Sequence, residues 1–190
     1  MTTPNSLNLH HFTYVVFIVT ILHLVVSMYA SCEVSFKANN KLYDYNLDTP
    51  IAHFPHGVQS EDGFYKVVAN ETVLWFQLCD EMIFNHDPPS CVDCKDCGGS
   101  SRCGMGCTAL VAQKIGGYPV CTAIGLSSST VTELIDVNHP KIGITVTMSN
   151  SAPTQNCSVK VSIICDSKRF QAPQTIQKIG ACDYVSGLNF

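Results

Sequence analysis

Apolar and polar positions alternate with a period of two through much of the chain. In Ile142–Met148, the residues Ile142, Ile144, Val146 and Met148 fall on one face. In Ser158–Ile164, Val159, Val161 and Ile163 do the same. Successive strand residues point to opposite faces, so each stretch predicts a strand with one face toward a core. Thr72–Cys79 is rich in β-branched and aromatic residues, and Phe64–Val68 and Thr130–Asp136 are further strand candidates. Turn signals separate these stretches at Asp62-Gly63, Asn138-His139-Pro140 and Ser151-Ala152-Pro153. No amphipathic helix longer than about ten residues is evident. Many short strands with turn punctuation predict an all-β domain, an antiparallel β-sandwich or flattened β-barrel. No internal repeat or linker divides it.

Residues 1–30 follow a different pattern. All 26 charged side chains lie after residue 32. Tyr14–Val26 is a thirteen-residue apolar run broken only by Thr20 and His23, and small residues follow up to Ala30. That length suits the apolar region of a signal peptide and is short of the roughly 20 residues of a membrane span. Residues 1–30 are expected to be a signal peptide, with 31–190 as the mature domain. The membrane is a partner only if the segment stays uncleaved, as an anchor from Phe12 to Tyr29. Both outcomes deliver the remainder to the lumen of the secretory pathway (endoplasmic reticulum, Golgi, vacuole or lysosome) or to the outside. Two glycosylation tripeptides fit that destination, at Asn70 and Asn156. The second has Cys157 at its centre, a poor acceptor context.

Composition sharpens the picture. The 190 residues are 46% apolar, enough for a real core. The formal charge of −4 offers no electrostatic reason for a nucleic-acid partner. Eleven cysteines are far too many for a typical cytosolic chain unless they bind metal. Eleven is also odd, so closed pairs leave one thiol over. Five of them, Cys91, Cys94, Cys97, Cys103 and Cys107, crowd a Pro-, Gly- and Ser-rich loop over 88–107.

Three chemistries fit that loop. Closely spaced cysteines suit tetrahedral zinc. Behind a signal peptide, structural disulfides are the better reading. Thioredoxin-like exchange through Cys94 or Cys97 needs a βαβ context that the sequence lacks. Hydrolytic catalysis finds no support: there is no Gly-x-Ser-x-Gly, and the seven histidines, including His53 and His56, form no constellation. Asp80 and Glu81 are adjacent in sequence, so in a strand they face opposite ways. No cofactor, metal or catalytic residue is expected.

Several elements together resemble the mannose 6-phosphate receptor homology (MRH) domain. Cys32 precedes Tyr43-Asp-Tyr-Asn-Leu-Asp48, and the aromatic stretch Leu74–Leu78 ends in Cys79. The alternating stretch Val159–Ile164 ends in Cys165-Asp166, and a Pro-containing loop leads to Cys182-Asp183-Tyr184. The resemblance covers roughly Cys32 to Tyr184. It implies an all-β, disulfide-bonded lectin domain of the sorting and quality-control machinery, non-enzymatic, whose partner is a glycan, a glycoprotein or a protein. The family's sugar pocket is built by Gln, Arg, Glu and Tyr. Tyr184 matches. Thr122 stands after Cys121 where the family has Gln. Lys160 is the basic residue of the strand that carries the Arg, and Gln174 and Gln177 stand near the position of the Glu, with Asp183 the closest acid. Arg and Lys do not substitute for one another in a bidentate contact. The implied ligand set is Tyr184, Asp183, Gln174 and Lys160, with mannose recognition lost or altered.

The resemblance also implies disulfides. Cys157 pairs with Cys182 and Cys32 with Cys79. The six cysteines Cys91, Cys94, Cys97, Cys103, Cys107 and Cys121 close three bonds in any of 15 connectivities. The family partner of the Cys-Asp cysteine lies beyond Phe190, which implies a C-terminally truncated member and leaves Cys165 unpaired. A cysteine-rich secreted structural or inhibitory protein acting through the 88–107 loop is the alternative, and a lumenal thiol redox protein is the third.

Overall fold

Two-residue turns set the register of several strand pairs. β1 (Glu33–Ala38) and β2 (Lys41–Asn46) are joined by Asn39-Asn40, both at positive φ of 50° and 59°. Asn tolerates this left-handed region, and a turn with both central residues there matches the twist of the flanking strands. β4 (Tyr65–Ala69) and β5 (Thr72–Phe76) are joined through Asn70, at φ 55°. β7 (Ala109–Ile115) and β8 (Tyr118–Gly125) are joined by Gly116-Gly117. A short pair, β3 (Asp62–Gly63) and β6 (Ile83–Phe84), flanks the β4–β5 hairpin. The computed structural model describes residues 33–47, 62–84, 89, 91, 103–152, 155–165, 173 and 175–189. The chain divides into units Met1–Ser31 and Cys32–Phe190, and the expected signal peptide lies outside the described residues. Among the described residues, no helix is long and apolar enough to cross a membrane.

Two larger sheets dominate. One has the order β4-β5-β7-β8. The other has the order β12-β13-β11-β10-β9, with β9 at Val131–Leu134, β10 at Gly143–Ala152, β11 at Gln155–Ile164, β12 at Ile176–Lys178 and β13 at Asp183–Asn189. The protein is therefore an all-β, disulfide-bonded fold. Pairing is antiparallel except for β11 and β13, which run parallel, with Val159 opposite Tyr184 and Ile163 opposite Leu188. β12 lies in the connection between them and adds to the outer edge of β13.

One core lies between the two sheets. Val67, Leu74, Phe76, Val111 and Ile124 from the first meet Ile144, Val146, Met148, Val159, Val161 and Leu188 from the second. The alternation expected for β10 and β11 is realised: Ile144, Val146, Val159 and Val161 have no exposed surface and Ile163 has 4%. Each such side chain contributes roughly 1.5–3 kcal/mol on burial. Two polar links join the sheets beside this core. Asn150 Nδ2 donates to the Ala123 carbonyl at 3.1 Å, and the Leu126 amide to the Ser149 carbonyl at 3.1 Å. The β1–β2 hairpin covers part of the same core with Val34, Phe36, Tyr45 and Leu47.

A second core forms on the other face of β4-β5-β7-β8. Trp75, Leu110, Ala112, Cys121 and Ala123 point that way and meet Phe64, Met82, Phe84, Cys103 and Cys107. The described part of the cysteine-rich segment is thus a layer packed on the sheet. Gly104 shows how close the approach is. Its φ is +91°, and a Cβ there would lie 2.5 Å from the Phe84 ring.

The structure alters several sequence expectations. Ile142 lies in a 3-10 turn (Pro140–Ile142) and is 41% exposed, so β10 begins at Gly143. Gly143 has φ +139°, and a Cβ on it would come 2.0 Å from the Ile163 carbonyl oxygen, so only glycine allows the chain to enter the sheet there. The expected strand 130–136 shortens to Val131–Leu134 because Asp136 starts a turn. Its carboxylate accepts from the Asn138 amide at 2.7 Å and contacts His139 Nδ1 at 2.8 Å. β1, β2, β7, β8, β12 and β13 add to the strands expected from alternation.

Candidate functional site

The residues implied for a sugar pocket do not meet on one face. Tyr184 is 2% exposed and belongs to the core between the sheets. Asp183 and Lys160 lie on the opposite face, because Asp183 precedes Tyr184 in β13 and Lys160 follows Val159 in β11. Asp183 is engaged by Ser158, whose hydroxyl donates to Oδ1 at 2.6 Å. The Lys178 ammonium sits 5.8 Å from the Tyr184 ring centroid, and burial together with the neighbouring Asp183 carboxylate raises the phenol pKa. Gln174 lies outside the described residues. Gln177 is exposed on β12, opposite Val185. Thr122 is on the face of β8 opposite to Cys121.

Among the described residues, the cysteines resolve into bonds and one thiol. Cys157 is bonded to Cys182 and Cys91 to Cys121. Cys79, Cys103 and Cys107 are also disulfide-bonded. Cys32, Cys94 and Cys97 lie outside the described residues. Cys165 is free and exposed. Burial of the sulfur raises its pKa, which disfavours the reactive thiolate. The sulfurs of Cys91, Cys103 and Cys121 lie within 4.8 Å of one another, with Cys103 Sγ 3.1 Å from Cys91 Sγ. Zinc takes thiolates. These three sulfurs are in disulfides, so the cluster here is a covalent staple of the outer layer.

A concave site lies on the same face of the sheet as the described part of that layer. It is a groove of about 450 Å³ at the tip of the β4–β5 hairpin. Strand register builds its floor: Lys66 faces Trp75, Val68 faces Val73, and Val73 faces Ala112 across β7. Those residues share one face of the sheet. Lys66 sits 5.9 Å from the Trp75 ring centroid. Asn70, Glu71, Gln113 and Lys114 edge the groove, and Pro89 and Pro119 also line it. The Lys114 amide donates to the Glu71 carbonyl at 3.4 Å, tying the hairpin turn to the neighbouring strand. Val68 is 59% exposed while Trp75 is 6% exposed, its indole N–H buried without a hydrogen-bond partner. The arrangement is an apolar trough with charged and amide groups at the rim, and the volume is within the usual range of small-ligand sites, about 300–1,000 Å³.

Sequence reasoning did not find this groove. Its signal is the pairing of Val68 with Val73 around a turn that carries Asn70, and pairing becomes visible only once the hairpin is drawn. Asn70 and Asn156, the two expected acceptor positions, are both exposed. Asn156 accepts from the Ser151 hydroxyl at 3.0 Å, and the Cys157 beside it is in its disulfide. No protein-family model and no curated protein matches the chain.

Proposed function

We propose that the chain is a non-enzymatic binding domain of the MRH type, delivered to the secretory lumen or secreted, that engages a glycoprotein or protein partner in sorting or quality control without mannose specificity. The observation that carries this reading is the bond between Cys157 and Cys182. It is the cross-link that the resemblance implies, and it lies in an all-β sandwich with Cys165 left over. Placement supports the loss of mannose specificity. Tyr184 turns inward, while Asp183 and Lys160 are on the other side of the sheet, so no shared pocket forms among the described members of the set. A sugar site needs its polar groups converging on adjacent hydroxyls, because each unmet group costs affinity.

The test uses the full chain secreted from a eukaryotic host, applied to a glycan array and to immobilised lumenal glycoproteins. The expected result is protein or glycoprotein binding with no preference for mannose-terminated glycans. Strong mannose-specific binding overturns the altered-specificity reading. Disulfide reductase activity in the same preparation overturns the non-enzymatic one.

A further inference from the structure

We propose that the groove at the β4–β5 hairpin is the seat of the chain's own N-linked glycan, carried on Asn70, and that its first sugars cover Val68 and the edge of the Trp75 layer. This rests on the lumenal delivery proposed above, since only there is the glycan attached.

Three observations converge. Asn70-Glu71-Thr72 is an acceptor tripeptide, and Asn70 sits exposed in the turn at φ 55°. Asn70 and Glu71 are lining residues of the groove, so a sugar bonded to Asn70 starts inside it. The floor beside them is apolar, and Val68, in the second cross-strand pair from the turn, is 59% exposed. Sugar rings present C–H faces that pack on aliphatic and aromatic surface, and hydroxyl and acetamido groups that need polar partners. The groove supplies both, through Val68, Val73 and Trp75 below and Glu71, Gln113 and Lys114 at the rim. A tethered occupant also binds at high effective concentration, so weak contacts suffice.

The covalent step balances without redox chemistry. The donor is a lipid-diphosphate-linked oligosaccharide. The Asn70 amide nitrogen forms a bond to C1 of the donor's first N-acetylglucosamine, and the C1–oxygen bond to the lipid diphosphate breaks. The lipid diphosphate leaves with the electron pair, and the amide proton passes to the transferase.

The experiment expresses the full chain in a eukaryotic secretory host and follows glycan release by a peptide amidase, which converts the glycosylated Asn to Asp. Peptide mass spectrometry gives the occupancy at Asn70. Expected are an occupied Asn70 and release from the native protein about tenfold slower than from the denatured protein, a ratio that corresponds to ~1.4 kcal/mol of seating. Val68→Ser, at an exposed position, should keep the native circular dichroism spectrum and bring the release rate toward the denatured value. Equal release rates from native and denatured protein overturn the proposal and leave the groove to an external ligand. So does an unoccupied Asn70 in a chain whose appended Asn-Gly-Thr tag is glycosylated, because lumenal delivery then stands without it. An unglycosylated tag instead overturns lumenal delivery, and this inference with it.

Discussion

Cys157 and Cys182 are bonded across a sequence separation of 25, with Cα atoms 4.8 Å apart, where β11 and β13 begin to run side by side. The following residues, Ser158 and Asp183, are hydrogen-bonded to each other, and the Ser158 amide donates to the Cys182 carbonyl at 3.1 Å. A parallel pair cannot be closed by a tight turn, so its ends must be brought together from a distance. The disulfide holds them there and removes loop freedom from the unfolded chain.

Replacing both cysteines with alanine should therefore cost about 2–5 kcal/mol. The measurement is a denaturant titration of the double variant against the wild type. Asp183→Ala alone should cost less, about 1–3 kcal/mol, because a hydrogen bond to a carboxylate is lost while the cross-link stays.

Cys165 should be the thiol that a maleimide labels in the native protein, and Cys165→Ser should abolish that labelling. Its backbone amide is held by the Ile142 carbonyl at 2.9 Å, so the strand end is fixed while the residue stays exposed and its sulfur partly buried. The raised thiol pKa predicts labelling that accelerates as pH rises. Mass spectrometry of the labelled peptide checks both points.

Tyr65 gives the fold an alkaline limit. The ring is 3% exposed and stacks on Phe76 with centroids 5.1 Å apart, and burial pushes the phenol pKa up to about 12. In the unfolded chain it titrates near 10. Between these values the unfolded state has lost a proton that the folded state keeps, so stability falls as pH rises. The contribution is full below about pH 10 and declines toward pH 12, by roughly 2–3 kcal/mol in total. Tyr65→Phe should flatten this part of a stability–pH curve measured by urea unfolding.

Gly143→Ala should destabilise by about 2–4 kcal/mol. The backbone there has a φ rarely adopted by side-chain-bearing residues, and the added Cβ meets the Ile163 carbonyl in the adjacent strand. A thermal melt checks this. Gly116→Ala, on an open turn with nothing within 4 Å of its Cβ, is the control, and its cost should be confined to the backbone strain.

β10 and β11 were legible in the sequence because apolar and polar residues alternate along each, with the apolar set entering the core between the sheets. β7 was not. Ala109 and Val111 enter the core between the sheets, while Leu110 and Ala112 enter the core under the cysteine-rich layer, so Ala109–Ala112 reads as a continuous apolar run without alternation. The cysteine-rich segment was legible as a stapled loop from composition. That its described part packs on Trp75 and Leu110 depends on the sheet beneath it. Tyr184 was found as a conspicuous residue, but its inward direction follows from its register with Val159, which local sequence does not carry. Asn70 was found as an acceptor tripeptide, and the trough beside it required the hairpin.

The sheet β4-β5-β7-β8 is sandwiched between a layer made by strands and a layer tied by sulfur. The two layers therefore depend on their disulfides to different degrees. On the sulfur-tied side a reductant opens Cys91–Cys121, which holds the layer to the sheet; on the strand-made side it opens Cys157–Cys182 but leaves the aliphatic packing around it. Trp75, the sole tryptophan, is on the sulfur-tied side. Its fluorescence is consequently a gauge of oxidation state, and hydrogen exchange at β10, a strand without cysteine, is the gauge of folding.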